Sequence, residues 1–585
     1  MTVHELTKVP SADRTARSGA ELLIDTLVRN GVDTIFGVPG DTGVVVYEQL
    51  RLRSNEIRHV LARDERHAAY MADGYARSHL KVGVCEASSG AGAVYLASGL
   101  GEAMAASIPL LVFTTDIHRS SRGSGAITEI DQEALFAGVT KWCKTAQTAS
   151  DIPSLITEAI ETAVSGRPGP VAVVLPEDVL DESSDAQVPG GSSNFPLDRY
   201  PAVQDRVSKA TERLTAAERP AILAGGGVHT SGAWAELRAF AEKAGIPVAT
   251  TIHGKGALAE DHPLSLGVAG GNGSRGYANE YLTGSDAILI VGSRANSTDT
   301  NGFTVVRRTG QWVAQIDSDR ARAGRNFEGS LPLAGDAATV LTQLIKNIPA
   351  VGPTLTSSRE AWIAERRQAW ADKVGGQQVS VAEGKIHPRK VIEALHEVFG
   401  SSTWVAADPG TPTPNLAAYW EADGTAWRVV IPRGHGPMGY SISAAIGIAI
   451  AHPGERVLCI TTEGSLAMGI GDWETAERLS LPITYVVLDN VSFGWIKMLQ
   501  HLFLQQKYFA TEPGPIDPAV LAHGMGLPGY LATDVAQLKK LALESLHREG
   551  PTVIHVPVPE HQDAPPPVAP WQAALDGGAK DRPVY

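Results

Sequence analysis

The chain has 585 residues, 43% apolar and 19% charged, with a net charge of −14; this is the balance of a globular protein too long for one core and expected to divide into several domains. No Lys/Arg-rich stripe accompanies the negative charge, which excludes a nucleic-acid footprint, and the longest apolar stretch, near Ile442 to Ala451, is too short to span a bilayer. Three cysteines far apart (Cys85, Cys143, Cys459) and a polar N-terminus exclude a disulfide framework and a secretory signal, so a soluble cytoplasmic protein is expected.

From about Ser18 to Ser184, apolar β-branched runs alternate with helical patterns. Thr34-Ile-Phe-Gly-Val-Pro, Val82-Gly-Val-Cys, Leu110-Leu-Val-Phe-Thr and Val171-Ala-Val-Val-Leu-Pro are predicted to be buried strands. The alternation predicts βαβ units and a parallel sheet covered on both faces. A polar linker at 185–200 leads to a second α/β block over 200–350, with strands at Ala221-Ile-Leu-Ala, Pro247-Val-Ala-Thr-Thr, Ala287-Ile-Leu-Ile-Val and Trp312-Val-Ala-Gln-Ile-Asp. A Pro/Ser/Thr linker around Val351 to Ser358 and a charged helix precede a third block over 385–560. Its strands are Thr403-Trp-Val-Ala-Ala-Asp, Arg456-Val-Leu-Cys-Ile-Thr, Ile483-Thr-Tyr-Val-Val-Leu and Thr552-Val-Ile-His-Val. The tail at 561–585 is polar and Pro-rich and is expected to be loosely ordered. The expected architecture is α/β, with three doubly wound domains of mainly parallel sheets (18–184, 200–350 and 385–560).

The chemistry concentrates in the third block. One strand ends in Thr462-Glu463-Gly464-Ser465, the next in Asp489-Asn490-Val-Ser492-Phe493-Gly494. Both turns fall at the carboxyl ends of parallel strands, where open α/β sheets bind ligands. Glu463 and Asn490 are 27 residues apart, about one βαβ unit, so both can reach one hard cation. Mg²⁺ takes one or two protein carboxylates together with neutral and phosphate oxygens. Gly464 and Ser465 would offer backbone N–H groups to a diphosphate. Taken alone, an acid-Gly-Ser turn is an ordinary strand-to-helix connection; the second turn in register distinguishes this one.

With these two turns the chain resembles the thiamine-diphosphate enzymes of the acetolactate synthase and 2-oxo acid decarboxylase type. Their metal motif is Gly-Asp-Gly followed by Asn-Asn at this spacing. The resemblance implies Glu463, Asn490 and the Ser492 carbonyl as Mg²⁺ ligands, with Phe493 and Gly494 beside the cofactor. Glu65, followed by Ala72-Asp73-Gly74-Tyr75-Ala76-Arg77, matches the family's catalytic glutamate. Its carboxyl would share a proton with the pyrimidine ring of the cofactor, a role favoured by partial burial. In Arg433-Gly434-His435-Gly436-Pro437-Met438-Gly439, the Gly436 carbonyl would accept from the pyrimidine amine and Met438 would wedge between the two rings. Pro39-Gly40 and Ser88-Ser89-Gly90 stand where the family has its first cofactor-side turns.

Several positions depart from the family. Glu463 replaces Asp, and Thr462 replaces Gly. Phe113-Thr114-Thr115-Asp116 stands for Ile-Thr-Gly-Gln, Ile127-Thr128-Glu129 for Phe-Gln-Glu, and Val94-Tyr95 for Thr-Asn. These changes fall where acetolactate synthases handle substrates, so Asp116 joins Glu65 as a candidate catalytic group, and His435 does so because it abuts the Gly-Pro-Met turn. Ser293-Arg294-Ala-Asn296-Ser-Thr-Asp299 replaces an Asp-Asp-Arg cluster of flavin-binding members, so FAD is not expected; Gly225-Gly226-Gly227 is a glycine turn and no more. The expected activity is decarboxylation of a pyruvate-like 2-oxo acid and transfer of the resulting acyl unit to a carbonyl acceptor. Cleavage of a C–C bond in a 2-hydroxyketone or diketone, and a non-catalytic cofactor-binding scaffold, stay open as alternatives. The resemblance further implies a homodimer or homotetramer.

Overall fold

The computed structural model describes residues 16–376 and 381–578. By Cα proximity the chain forms two compact units. The first runs to Ala72 and takes in Lys81–Val164 and Pro168–Asn194; the second takes in Asp73–Leu80, Ser165–Arg167 and the described chain from Phe195 onward.

The first unit is built on a six-stranded sheet in the order Arg58–Leu61, Thr34–Val38, Gly83–Ala87, Leu110–Asp116, Val171–Pro176, Cys143–Thr145, and every pairing is parallel. Leu110–Asp116 and Val171–Pro176 are buried along their whole length. That is why Leu110–Phe113 and Val171–Pro176 read as continuous apolar runs and not as alternating ones.

The second unit holds two further six-stranded parallel sheets. One has the order Ser265–Val268, Val248–Thr250, Pro220–Ala224, Ala287–Val291, Trp312–Asp317, Leu331–Ala334. The other has Val429–Val430, Trp404–Ala407, Val457–Thr462, Ile483–Asp489, Thr552–Pro557, Gly529–Leu531. Numbered along the chain, the first and last sheets share one strand order, 2-1-3-4-6-5. In both, the order reverses between the first and third strands, and such a switch point opens a crevice at the strands' carboxyl ends. Pro39-Gly40 and Ser88-Ser89-Gly90 border the crevice of the first sheet; Pro409-Gly410 and Thr462-Glu463-Gly464 border that of the last.

Helix Glu65–His79 begins in the first unit and ends in the second. Its Asp73 and Arg77 are a structural device of the second unit. Both are buried, Arg77 Nε donates to Asp73 Oδ1 at 2.6 Å, and the Tyr440 hydroxyl donates to the same carboxylate. Gly74 permits a close helix approach: a Cβ there would lie 2.4 Å from the carbonyl oxygen of Ala444. The Asp-Gly-Tyr-Ala-Arg run is therefore a packing motif, whereas Glu65 at the start of the same helix is available for chemistry.

Two expectations change. The Pro/Ser/Thr segment around 351–358 is mostly helix, because Pro353 opens a helix that continues to Gly376; proline is well tolerated in a first turn. The segment after Glu560 is not a loose tail over its described length: it forms helix Ala569–Leu575, with Trp571 and His561 buried. Trp571 packs with Val568 and Met498 and meets Trp495 at 4.3 Å between ring centroids, so one large aromatic anchors a segment whose composition reads as polar. Among the described residues no helix is long and apolar enough to cross a membrane.

Candidate active site

The two turns of the last sheet meet at the backbone N–H of Ser492. That single N–H is shared by Glu463 Oε1 at 3.0 Å and Asn490 Oδ1 at 3.2 Å, and the Ser492 hydroxyl also donates to Asn490 Oδ1 at 3.2 Å. The Ser492 carbonyl accepts from the Gly494 N–H at 2.7 Å, which leaves one lone pair. The two expected side-chain ligands, Glu463 and Asn490, thereby meet at the Ser492 backbone N–H. Val491 between them takes φ +56°, a left-handed conformation rare for a β-branched residue. Strain of this kind costs on the order of 1–3 kcal/mol and is found where function demands it. The Val491 N–H donates to Asp489 Oδ1 at 2.9 Å, which helps to hold the turn.

Glu463 is buried. Burial, and then the neighbouring Asp489 carboxylate, push its carboxyl up to about 7 against the backbone N–H groups that pull it down. A buried carboxylate without a cation is costly, and a divalent ion would relieve that cost. Among the described residues no group of three His, Cys, Asp or Glu converges as a metal site. The donor set here is instead one carboxylate, one amide and one carbonyl, which suits a hard ion completed by phosphate oxygens and water.

Asn490, Ser492, Phe493 and Gly494 line a cavity of about 860 Å³ together with Gly436, Met438 and Gly464. Gly464 sits between two of these side chains: a Cβ there would lie 3.1 Å from the Phe493 ring and 3.2 Å from the Met438 methyl. Gly494 is equally constrained, since its Cβ would lie 2.6 Å from Asn490 Nδ2. Gly436 and Gly439 both take positive φ, +70° and +83°, and so turn the chain tightly around Met438. His435 is exposed and lines the same cavity. Ser465 departs from its expected role. It is buried and does not line the cavity; its N–H caps onto the Thr462 hydroxyl at 3.3 Å. Thr462, which replaces a glycine of the family pattern, is thus an N-cap that occupies one of the two N–H groups expected to face a diphosphate.

In the first unit, Glu65 packs against the glycine turn. A Cβ on Gly92 would lie 3.2 Å from Glu65 Oε1. Burial pushes the Glu65 carboxyl above its ordinary value; its own backbone N–H opposes this, and the Asp64 and Glu86 carboxylates reinforce it. Gly90 has φ +66°, and a Cβ there would meet Thr128 at 2.7 Å. Gly40 is similarly close to Ser88, at 2.3 Å, while Pro39 beside it is exposed. Asp116 is buried at the end of its strand, but it is not a free acid. Its carboxylate forms an ion pair with Arg122 and accepts from the Ile117 N–H at 2.9 Å. It faces a separate cavity of about 380 Å³, whose lining does not include Glu65. This weakens its expected part in catalysis, because the carboxylate is already engaged by Arg122 and faces a different cavity.

Residues that the sequence reasoning passed over complete the cavity wall. Asp408, fully buried, accepts from Thr461 Oγ1 at 2.6 Å and Ser441 Oγ at 2.7 Å and holds the strand end that presents Pro409-Gly410-Thr411. The signal was the Pro-Gly turn after a first strand, the same as Pro39-Gly40. Arg294, Arg322, Arg325 and Arg433 also line the cavity, and no local pattern marks them as a set.

A glycine-lined crevice at a sheet's switch point, beside an acid, an amide and a carbonyl suited to a hard cation, defines a diphosphate-cofactor enzyme. Sequence comparison agrees: the thiamine pyrophosphate enzyme N-terminal TPP binding domain matches residues 17–135, the central domain 207–344 and the C-terminal TPP binding domain 408–556. The chain is 31% identical over 567 residues to the acetolactate synthase large subunit of Parasynechococcus marenigrum (strain WH8102), covering 95% of this chain and 90% of that protein. It is 32% identical to the acetolactate synthase of Arthrospira platensis, with 94% and 96% covered. It is 30% identical to the acetolactate synthase isozyme 1 large subunit of Escherichia coli (strain K12), with 95% and 96% covered. The chain belongs to the thiamine pyrophosphate enzymes of the acetolactate synthase type, and it is an enzyme of thiamine-pyrophosphate-dependent decarboxylation and carboligation.

Proposed function

We propose that the protein decarboxylates a pyruvate-like 2-oxo acid and transfers the acyl unit to a carbonyl acceptor, using Mg²⁺ to hold the cofactor diphosphate. The observation that carries the metal assignment is the shared Ser492 N–H, at which the Glu463 and Asn490 side chains meet. When bound, thiamine diphosphate supplies the electron sink for the pair released with CO₂. Glu463, Asn490 and the Ser492 carbonyl would hold the cation. The Gly464 backbone would approach the diphosphate, and Met438 and Phe493 would enclose the rings. Glu65 would share a proton with the pyrimidine; its partial burial raises the carboxyl above its ordinary value and so favours the protonated form. His435, exposed at the cavity wall, would exchange a proton with substrate. Pro39, Gly40 and Gly90 would flank the pyrimidine side.

Within this proposal the domains follow 18–184, 200–350 and 385–560, and the enzyme acts in the cytoplasm as a homodimer or homotetramer. FAD is not part of it. The Gly225 N–H is bonded to the Val291 carbonyl at 2.8 Å and the Gly227 N–H to the Gly292 carbonyl at 2.8 Å, so these two donors are not offered to a dinucleotide phosphate.

The decisive test is Glu65→Gln. That variant should bind thiamine diphosphate and Mg²⁺ as the wild type does, but should lose exchange of the cofactor's C2 proton and release of CO₂ from pyruvate. Unchanged exchange would remove Glu65 from the mechanism. Sedimentation at micromolar concentration measures the assembly directly.

A further inference from the structure

The 860 Å³ cavity is lined by four arginines (Arg294, Arg322, Arg325 and Arg433) and by no aspartate or glutamate, in a protein whose net charge is −14. Three of these arginines come from two loops at the carboxyl ends of adjacent strands, Ala287–Val291 and Trp312–Asp317. The loops are fixed to one another. Gln315 Nε2 donates to the Ser293 carbonyl at 2.9 Å, and its Oε1 accepts from the Gly324 N–H at 3.0 Å. Asn326 Nδ2 donates to the carbonyls of Arg294 and Ala295 at 3.0 and 3.2 Å. A scaffold of this kind holds guanidinium groups in place before any ligand arrives.

The nearby carboxylates offset part of this charge, since Asp299 also attracts Arg294 and Arg433. Asp319 pairs with Arg322 at 3.2 Å, and Asp299 accepts from the Ser293 hydroxyl at 3.0 Å. Among the described residues neither Arg294 nor Arg325 has an ion-pair partner. Arg167 adds to the crowding: burial, then repulsion from Arg322 and Arg294, push its guanidinium down to about 10. Like charges gathered in one wall raise the energy of the empty protein and lower it when an oxyanion enters.

The ligands of the carboligase reading leave most of this wall unused. The Mg²⁺–diphosphate pair belongs at another turn of the lining, with Asn490 and Ser492. A 2-oxo acid brings one carboxylate, whose two oxygens a single bidentate arginine satisfies. Three further guanidiniums flanked by the polar side chains of Asn296, Ser297 and Asn326 match a group with three terminal oxygens and nearly two charges.

We propose that the acceptor substrate is a phosphorylated carbonyl compound, its phosphate monoester held by Arg294, Arg322 and Arg325 while its carbonyl faces Met438 and His435. This rests on the carboligase reading and adds the class of the second substrate. The phosphate takes no part in bond making; it positions the carbonyl carbon.

Two measurements test it. In the first, glycerol 3-phosphate and glycerol are titrated calorimetrically into protein saturated with thiamine diphosphate and Mg²⁺. Glycerol 3-phosphate should bind and glycerol should not. The affinity should fall at least about tenfold in Arg325→Ala, an exposed side chain whose loss should not disturb folding, and further in Arg294→Ala/Arg325→Ala. Cofactor affinity should stay within about twofold, because none of these side chains belongs to the set that would hold the cation. Absence of binding, or binding that both variants retain, overturns the proposal. In the second, glycolaldehyde phosphate and glycolaldehyde compete as acceptors with pyruvate as donor; the phosphorylated acceptor should have the lower KM by about tenfold or more. Equal KM values alongside arginine-dependent binding of glycerol 3-phosphate would mean that the phosphate belongs to a separate ligand, and would overturn the substrate assignment. Glu463→Gln separates the two readings. It should weaken cofactor binding by at least about tenfold yet leave the glycerol 3-phosphate titration of the apoprotein intact, so a failed carboligase reading and a failed phosphate site give different results.

Discussion

Glu463 and Ser492 stand 29 positions apart in the chain, and the Ser492 backbone N–H donates to the Glu463 carboxylate at 3.0 Å. This bond crosses from the end of strand Val457–Thr462 to the end of its neighbour Ile483–Asp489. It brings the acid beside the Asn490 amide oxygen, which accepts from the same N–H at 3.2 Å.

Removal of either side-chain ligand should therefore uncouple the cofactor from the metal. Asn490→Ala and Glu463→Gln should each weaken Mg²⁺-dependent thiamine diphosphate binding by at least about tenfold, measured by quenching of tryptophan fluorescence. An unchanged Mg²⁺ requirement in both variants would show that the cation is held elsewhere.

Gly464 is predicted to matter for the cofactor and not for the fold. An added methyl presses on the Phe493 ring and the Met438 methyl at 3.1 and 3.2 Å, both ends of side chains that can give way. Gly464→Ala should keep its melting temperature within a few degrees while thiamine diphosphate binds roughly tenfold more weakly. A full-strength site in this variant would mean that no cofactor packs between those two side chains.

The Asp73–Arg77 pair predicts the opposite pattern. Asp73→Ala leaves a fully buried guanidinium without its carboxylate, at a cost of about 3–5 kcal/mol. Tyr440→Phe removes one hydrogen bond, for about 1 kcal/mol. Denaturant titration should rank the two variants in that order, and comparable losses would contradict the buried-pair account.

Acid should destabilise the protein through two buried histidines. The Trp234 indole N–H donates to His229 Nδ1 at 2.9 Å, and His229 Nε2 faces the Lys255 carbonyl at 3.1 Å. An indole only donates and a carbonyl only accepts, so the ring is held neutral with its proton on Nε2. Burial pushes His229 down to about 3 and His561 down to about 4. Both folded values lie below the ordinary 6.5, so the unfolded chain takes up protons first as pH falls. Stability should hold above pH 6.5 and decline toward pH 4, by about 3 kcal/mol for each histidine. Melting temperatures between pH 7.5 and 4.5 should drop less steeply in His561→Gln than in the wild type. Parallel slopes would rule out His561 as a contributor.

Much of the scaffold was legible along the chain, because a strand buried on both faces must be apolar throughout and a parallel sheet must return through helices. Leu110–Asp116 and Ile483–Asp489 announce themselves in that way, and the turns after them carry glycine where backbone has to approach something closely. The buried anchor Trp571 was hidden by the polar residues around it. Tertiary structure alone decided which polar groups meet. Thr462 takes the Ser465 N–H, Arg122 neutralises Asp116, and arginines from 294 to 433 come to face one cavity. Periodicity and turn chemistry act over a few residues and specify the backbone; charge pairing acts through space, between side chains that only the packed sheets bring within reach.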